Sequence, residues 1–287
     1  MSRRSAIGDT EVIEDDELFS AEIGDWGRDK YGLLRSYCGI FASAMKKKWA
    51  ARVYVDLFSG SGRARLKTTG RTVLASPMIA LAVRDPFDHY VFCDMDPICI
   101  QALSLRVSRD FPSADVEYVS GDCNERVDDL LAAIPKGDNR GGVLTLCMVD
   151  PFAIANLRFE TIRRLAERPV DFLVLVPSHM DANRNRARLL AKDQTSLDRF
   201  LGSRAWREDW RRATSEGTSR SFGTFVLDQF GRSMRSLGYL YDEPGTEVEV
   251  RHGGRVLYYL AFYSRHPLGG EFWTKATRAA KGQLPLF

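Results

Sequence analysis

Val53-Tyr54-Val55-Asp56-Leu57-Phe58-Ser59-Gly60-Ser61-Gly62 is the stretch whose reading decides the fold. Its first half is apolar and rich in β-branched and aromatic residues, as a buried strand requires. Its second half is a turn, because Gly60 and Gly62 let the backbone bend tightly and come close to a ligand. Backbone N–H groups at the carboxyl end of such a strand suit an anionic or polar group. Asp56 is expected at the strand mouth, holding a cationic or hydrogen-bond-donating part of the same ligand.

Downstream, the pattern repeats. Tyr90-Val91-Phe92-Cys93 reads as a strand ending in Asp94-Met95-Asp96-Pro97, and Val116-Glu117-Tyr118-Val119 as another, followed by Gly121-Asp122-Cys123-Asn124. Val143 to Val149 is nearly continuous in apolar residues, as a strand buried on both faces should be, and runs into Asp150-Pro151-Phe152. Phe172 to Val176 runs out at Pro177-Ser178-His179. Helical segments separate these strands, and Ser76-Pro77 reads as an N-cap and first turn. Strands alternating with helices predict an α/β fold with a doubly wound, mostly parallel, Rossmann-like sheet. Such sheets bind ligands outside their strands' carboxyl ends. Asp56, Asp94, Asp122 and Asp150 would then share one edge.

The remainder is less regular. Residues 1–22, with acids concentrated between Asp9 and Glu17, are expected to form a mobile tail. Leu33, Leu34, Tyr37, Ile40, Phe41 and Ala44 recur at helical spacing between Trp26 and Trp49. Arg63 to Thr72 reads as a basic polar loop. The α/β domain is assigned to 23–266, with a basic helical insertion at 182–212. In that insertion Phe200, Trp206 and Trp210 alternate with arginines. Two readings stand for it: phosphate contact with base stacking, or a solvated face whose tryptophans pack on the core. Two charged or apolar runs after residue 246 predict a C-terminal antiparallel hairpin, followed by a tail over 267–287.

Composition narrows the function. The 287-residue chain is 44% apolar and 28% charged with a net charge of +3. These values suit an ordinary soluble domain and single out no partner. The five cysteines form no C-x-x-C pair, which argues against a zinc or redox centre and suits a reducing cytoplasm. No signal peptide or membrane-length apolar run is present. No metal is expected, and a cytoplasmic location is.

From residue 50 to 263 these features resemble the class I S-adenosylmethionine-dependent methyltransferases. The resemblance implies S-adenosyl-L-methionine as cofactor. Its methionine end would lie on Asp56, Phe58, Ser59, Gly60, Ser61 and Gly62, its ribose on Asp94 beside Met95, and its adenine on Asp122 beside Cys123. Asp150, Pro151 and Phe152 stand where nucleobase amino-methyltransferases carry an acid or amide, two prolines and an aromatic ring, and here the second proline is missing. An Asp-Pro turn of no catalytic role is the competing reading. An NAD-binding Rossmann site fits less well, since the full G-x-G-x-x-G spacing is absent. No Pro-Cys nucleophile is present, which argues against C5-methylation of a pyrimidine.

The segments 54–60, Ser76-Pro77 with Ile79-Ala80-Leu81, 121–125 and 150–152 also resemble the three-Cys-motif partner proteins. That resemblance implies a radical S-adenosylmethionine-type partner and leaves catalysis open. Gln283-Leu284-Pro285-Leu286-Phe287 resembles the pentapeptide that docks DNA-processing proteins on the bacterial sliding clamp, with Gln283, Leu284, Leu286 and Phe287 as contacts. The alternative is a tail folded back on its own domain. The expected function is methyl transfer to nucleic acid, DNA rather than RNA, at an exocyclic base amine. Arg63, Arg65, Arg184 and Arg186 would hold the backbone and His179 would face the substrate. A non-catalytic partner subunit is the alternative.

Overall fold

The computed structural model describes residues 12–24, 27–137, 142–191, 193–218, 221–240, 248–252 and 255–280. Two short strands, β1 (Val12–Ile13) and β2 (Ala21–Ile23), precede helix α1 (Gly27–Met45) and the opening strand β3 (Ala51–Asp56). The glycine turn leads into a hairpin, β4 (Arg63–Leu66) and β5 (Thr72–Leu74), and then α2 (Ser76–Leu81). Alternation follows with β6 (His89–Asp94), α3 (Pro97–Asp110), β7 (Val116–Ser120) and α4 (Val127–Ala133). It continues through β8 (Val143–Val149), α5 (Phe159–Leu165) and β9 (Val170–Val176). A π-helical turn (Ser178–Asn183) opens a helical run of α6 (Arg186–Leu190), α7 (Ser196–Leu201), α8 (Trp206–Ser215) and α9 (Phe222–Ser236). The hairpin β10 (Val248–His252) and β11 (Arg255–Tyr263) comes next, then α10 (Pro267–Ala280).

Seven strands form the main sheet in the order β10-β11-β9-β8-β3-β6-β7. β9, β8, β3, β6 and β7 run parallel, whereas β11 lies antiparallel to both β9 and β10. The chain winds outward from β3 to β7 and then restarts at β8 on the other side, so the direction reverses between β3 and β8. That crevice is where an open α/β sheet binds ligands.

Strand alternation divides the core in two. Val53, Val91, Cys147, Val149, Phe172 and Val174 face one side, against α4, α5, α7 and α9. Tyr54, Phe92, Leu146, Met148, Leu173 and Leu175 face the other, against α1, α2, α3 and α10. Every residue of β8 and β9 is buried. Helices therefore cover both faces, and polar chemistry is left to the strand ends.

Several expectations are corrected. Residues 12–23 carry no mobile tail: β1 and β2 join β4 and β5 in a second, four-stranded sheet. The physical reason is Arg106 of α3, which is fully buried. Its guanidinium grips Asp16 through Nε at 3.0 Å and Nη2 at 2.7 Å. It also donates to the carbonyls of Phe19 (2.9 Å) and Ser61 (2.6 Å). Hydrogen bonding from Arg106, against the opposing effect of burial, holds the Asp16 carboxyl far below the usual range, with Arg109 and Arg63 assisting. The loop expected over 63–72 is the β4–β5 hairpin. Ala75, not Ser76, occupies the cap position of α2.

The 182–212 segment is no appended insertion, because Phe200 and Trp206 are buried in the core and Trp210 packs on Phe222 and Phe225. Phe200 and Trp206 are therefore unavailable for base stacking, while Trp210 is half-buried. The domain also extends past residue 266. α10 packs on α1, with Trp273 3% exposed and its ring 5.6 Å from that of Tyr37. Residues 283–287 lie outside the described residues. Among the described residues no helix is long and apolar enough to cross a membrane.

Replacing Arg106 by methionine leaves the Phe19, Leu18 and Ser61 carbonyls without that donor and Asp16 with only Arg63 and Arg109 as cationic partners. A loss of about 3–5 kcal/mol is expected in urea denaturation, the usual cost of removing one partner of a buried pair. A change below about 1 kcal/mol would show that this arginine does not hold the N-terminal strands.

Candidate active site at the carboxyl edge of the sheet

The glycine turn is laced to both neighbouring strands. Leu57 N donates to the Met148 carbonyl of β8 at 3.1 Å, and Ser59 N to the Cys93 carbonyl of β6 at 2.8 Å. Gly60 and Gly62 have φ of 57° and 78°. This left-handed backbone costs L-residues energy that glycine avoids. A Cβ at Gly62 would also lie 2.6 Å from Leu103 Cδ1 and 2.9 Å from Met78 Cγ. A Cβ at Gly60 meets nothing within 4 Å, so the turn opens onto free space there. Ser59 and Ser61 are buried and Phe58 is half-buried.

Asp56 departs from expectation. It is completely buried and faces inward, where it cannot touch a ligand directly. Phe58 N donates to Oδ1 at 3.2 Å, Tyr54 Oη to Oδ2 at 3.3 Å, and the Ser76 hydroxyl is a further donor. Asp56 therefore braces the turn from below, and Ser76 serves it instead of capping α2. Burial raises its pKa to about 7, against the lowering effect of the Ser76 and Phe58 bonds.

The other strand-end acids remain at the surface. Asp94 is half-buried and accepts from Gly60 N at 2.7 Å and from Asp96 N at 2.9 Å. Two of its four lone-pair sites are thereby used. Asp96 itself caps α3 by accepting from Ile98 N. Met95 and Ile98 beside it are 68% and 56% exposed, which is unusual for large apolar side chains. Asp122 Oδ1 accepts from the backbone and side-chain nitrogens of Asn124 at 2.9 and 2.7 Å. Cys123 is buried, and burial raises its thiol far above the ordinary value. Asn124 also reaches the Asn156 carbonyl (2.8 Å), Arg158 N (2.8 Å) and Thr161 Oγ1 (2.8 Å), joining the loops after β7 and β8.

After β8, Asp150 is half-buried, Pro151 buried, and Phe152 90% exposed. Lys30 of α1 forms an ion pair with Asp150 Oδ2. The loop is anchored beyond, where Ile154 N donates to Asp181 Oδ2 at 2.7 Å. Asp181 is buried, and its Oδ1 accepts from Asn185 at 2.6 Å. His179 lies in the same π-helical turn, with its side chain outside the described residues.

Of the two arginines expected to contact substrate near the turn, Arg63 is structural and Arg65 stands in an exposed ion pair. Arg63 is buried between Asp16 (3.1 Å) and Asp110 (3.3 Å), and Arg65 pairs with Asp15. Arg204 and Arg207 pair with Asp198, Arg211 with Glu208 and Arg212 with Asp209. Arg184 and Arg186, by contrast, are exposed and join Arg188 on the segment that follows Asp181. No ion pair to these three is found among the described residues.

Lys30, Arg106, Asn124 and Asp181 were not identified from sequence. Lys30 and Arg106 carry a retrospective signal: each falls on the apolar stripe of its helix. Lys30 precedes Leu33, Leu34 and Tyr37 by three, four and seven positions, and Arg106 follows Cys99, Ala102 and Leu103. A cation in that register needs a buried carboxylate.

The strand order, with parallel strands and a terminal antiparallel hairpin, is that of the class I methyltransferase fold. No protein-family model matches the sequence, and no curated protein matches it. Among solved structures, protein LPL1258 from Legionella pneumophila is 12% identical with a TM-score of 0.46, covering 88% of this chain and 92% of that one. Trm1 from Pyrococcus horikoshii, solved with S-adenosyl-L-methionine, is 11% identical with a TM-score of 0.46, covering 93% of this chain and 62% of that one. The magnesium protoporphyrin IX methyltransferase of Synechocystis, solved with bound SAH, is 9% identical with a TM-score of 0.42, covering 82% of this chain and 83% of that one. Likenesses this remote assign no activity.

Asp56 gives the site a pH signature. Its folded pKa of about 7 exceeds the unfolded value of about 3.9. Between these values the folded state keeps a proton that the unfolded chain has lost, so stability falls as pH rises, by up to about 1.4 kcal/mol per unit. Asp171, raised to about 7 by burial, adds a contribution of the same sign. Urea midpoints are expected to decline from pH 5 to 7.5, and Asp56→Asn to flatten part of that decline. An unchanged slope in the variant would contradict the assignment.

Proposed function

We propose that this chain binds S-adenosylmethionine at the β3–β6–β7 edge and methylates an exocyclic base amine in nucleic acid, with DNA preferred. The single observation that carries the reading is the exposed ring of Phe152 two residues after the Asp150 carboxylate, past the end of β8, the strand paired with β3. An aromatic side chain left in water at a ligand-binding edge suits a base that stacks on it.

The residues present fit the cofactor. Asp94 keeps lone pairs for two ribose hydroxyls, Met95 and Ile98 offer apolar cover for a flat ring, and Gly60 leaves room above the turn. The cofactor supplies an activated methyl group on a sulfonium. The protein's own contribution is then orientation and exclusion of water. Asp150 accepts a hydrogen bond from the amine, so that the nitrogen lone pair points at the methyl carbon. Phe152 fixes the plane of the base, and Arg184, Arg186 and Arg188 supply phosphate contacts.

A second reading rests on the Lys30 partner of Asp150 and on the missing second proline. In it the fold serves as a non-catalytic subunit for a three-Cys-motif radical S-adenosylmethionine-type protein. Cofactor binding without methyl transfer would favour it.

Calorimetry is expected to detect S-adenosylmethionine, and absence of binding at high micromolar ligand would end the enzyme reading. Labelled methyl transfer to DNA should fall about 10- to 100-fold in Phe152→Ala, the worth of one stacked base, with cofactor affinity retained. Replacing Arg184, Arg186 and Arg188 by glutamine should weaken binding across sequences and flatten the salt dependence by about one unit per lost contact. The C-terminal pentapeptide is proposed as a sliding-clamp ligand. Deleting residues 283–287 is expected to abolish clamp binding with little change in melting temperature, whereas a large drop would support a folded-back tail.

A further inference from the structure

Lys30 is a buried cation at the centre of the candidate site. It is 4% exposed, pairs with Asp150, and lies 4.7 Å from the Tyr31 ring centroid. Burial opposes its charge, but the fields of Asp150 and Asp56 and the Asp150 bond outweigh it and keep the ammonium protonated far above neutrality. Asp56 and Asp150 end adjacent strands, and the first turn of α1 brings Lys30 to both. The ammonium takes Oδ2 of Asp150, while the side chain of that acid remains 19% exposed.

This geometry has a consequence for the acceptor. An unpaired carboxylate at a partly buried edge attracts cations, and an alkylammonium would neutralise it well. With Lys30 already in place the pair carries no net charge. A second ammonium would meet a like charge nearby, whereas a neutral N–H donor meets only a hydrogen-bond acceptor. We propose that Lys30 is a specificity-determining residue that makes the Asp150 site select neutral amines, such as exocyclic base amines, over alkylammonium groups. This inference rests on the reading of Asp150 as the acceptor site. It adds the substrate's charge state, which that reading leaves open.

The test uses the full chain and two probes, adenosine or cytidine as neutral donors and butylammonium as the cation, titrated at pH 7.5 by NMR. Lys30→Met is expected to gain about tenfold or more in butylammonium affinity, Lys30→Arg to stay at the wild-type level, and Lys30→Met with Asp150→Asn to lose the gain. A Lys30→Met protein with unchanged circular dichroism and butylammonium affinity within about twofold of wild type would overturn the proposal.

Lys30→Met alone leaves Asp150 unpaired and is the variant most exposed to misfolding. A second measurement therefore uses wild type and Asp150→Asn with an acetylating reagent, followed by mass spectrometry. Lys30 should be protected in wild type relative to exposed Lys47 and Lys48, and should react about tenfold faster once Asp150 is neutral. Equal rates for Lys30 in both proteins would overturn the proposal. Failure to bind S-adenosylmethionine would end the methyltransferase reading without altering these charge effects. Conversely, intact methyl transfer with no change in cation affinity would end only the assignment of Lys30.

Discussion

The rest of the structure depends on β8 and β9 being buried along their whole length. With helices on both faces, every residue of either strand is buried, the most accessible, Leu144 and Asp171, reaching only 8%. A polar group placed mid-strand would need its own partner, so polar residues collect where the strands stop. The direction of winding reverses between β3 and β8, which opens a crevice at that edge. Asp56, Asp94, Asp122 and Asp150 are brought together there by the sheet alone, although residues 56 and 150 lie far apart in the chain.

Collecting carboxylates creates a charge problem that the molecule solves in three ways. Asp56 is sealed inside with hydroxyl and amide donors, and burial shifts it toward the neutral form. Asp94 and Asp122 stay partly hydrated and accept backbone N–H groups of the loops beside them. Asp150 receives a cation from α1. Each solution also fixes a loop: the glycine turn, the segment after β7, and the segment after β8. Electrostatic satisfaction and loop placement are therefore one event at this edge. Asn124 and Asp181 complete it by tying neighbouring loops to each other.

Basic residues make the same point from the other side. The local excess of arginine after residue 182 suggests a nucleic-acid surface, yet Arg207 is held by Asp198, and Arg204, Arg211 and Arg212 form exposed ion pairs with acids of the same segment. The tryptophans among them fill the core. Arg63 and Arg106 bind the N-terminal acids, which explains why an acidic stretch with little apolar content becomes part of a folded sheet. Charge runs in sequence measure composition, whereas recognition depends on which charges remain uncompensated.

The sequence by itself determined the α/β class, the parallel sheet with its terminal hairpin, the turn at Gly60 and Gly62, and the edge on which the acids fall. These follow from period-two and period-3.6 apolar patterns and from glycine's access to positive φ, all of which are local. Only the tertiary structure decided what each charged group faces. Asp56 points inward, Arg63 is structural, residues 12–13 and 21–23 are strands, α10 is part of the domain, and Lys30 stands behind Asp150. Such outcomes come from pairs far apart in the chain: 120 residues separate Lys30 from Asp150, and Tyr37 meets Trp273 across an even longer span. No local pattern carries that distance; it is set by which elements the two cores press together.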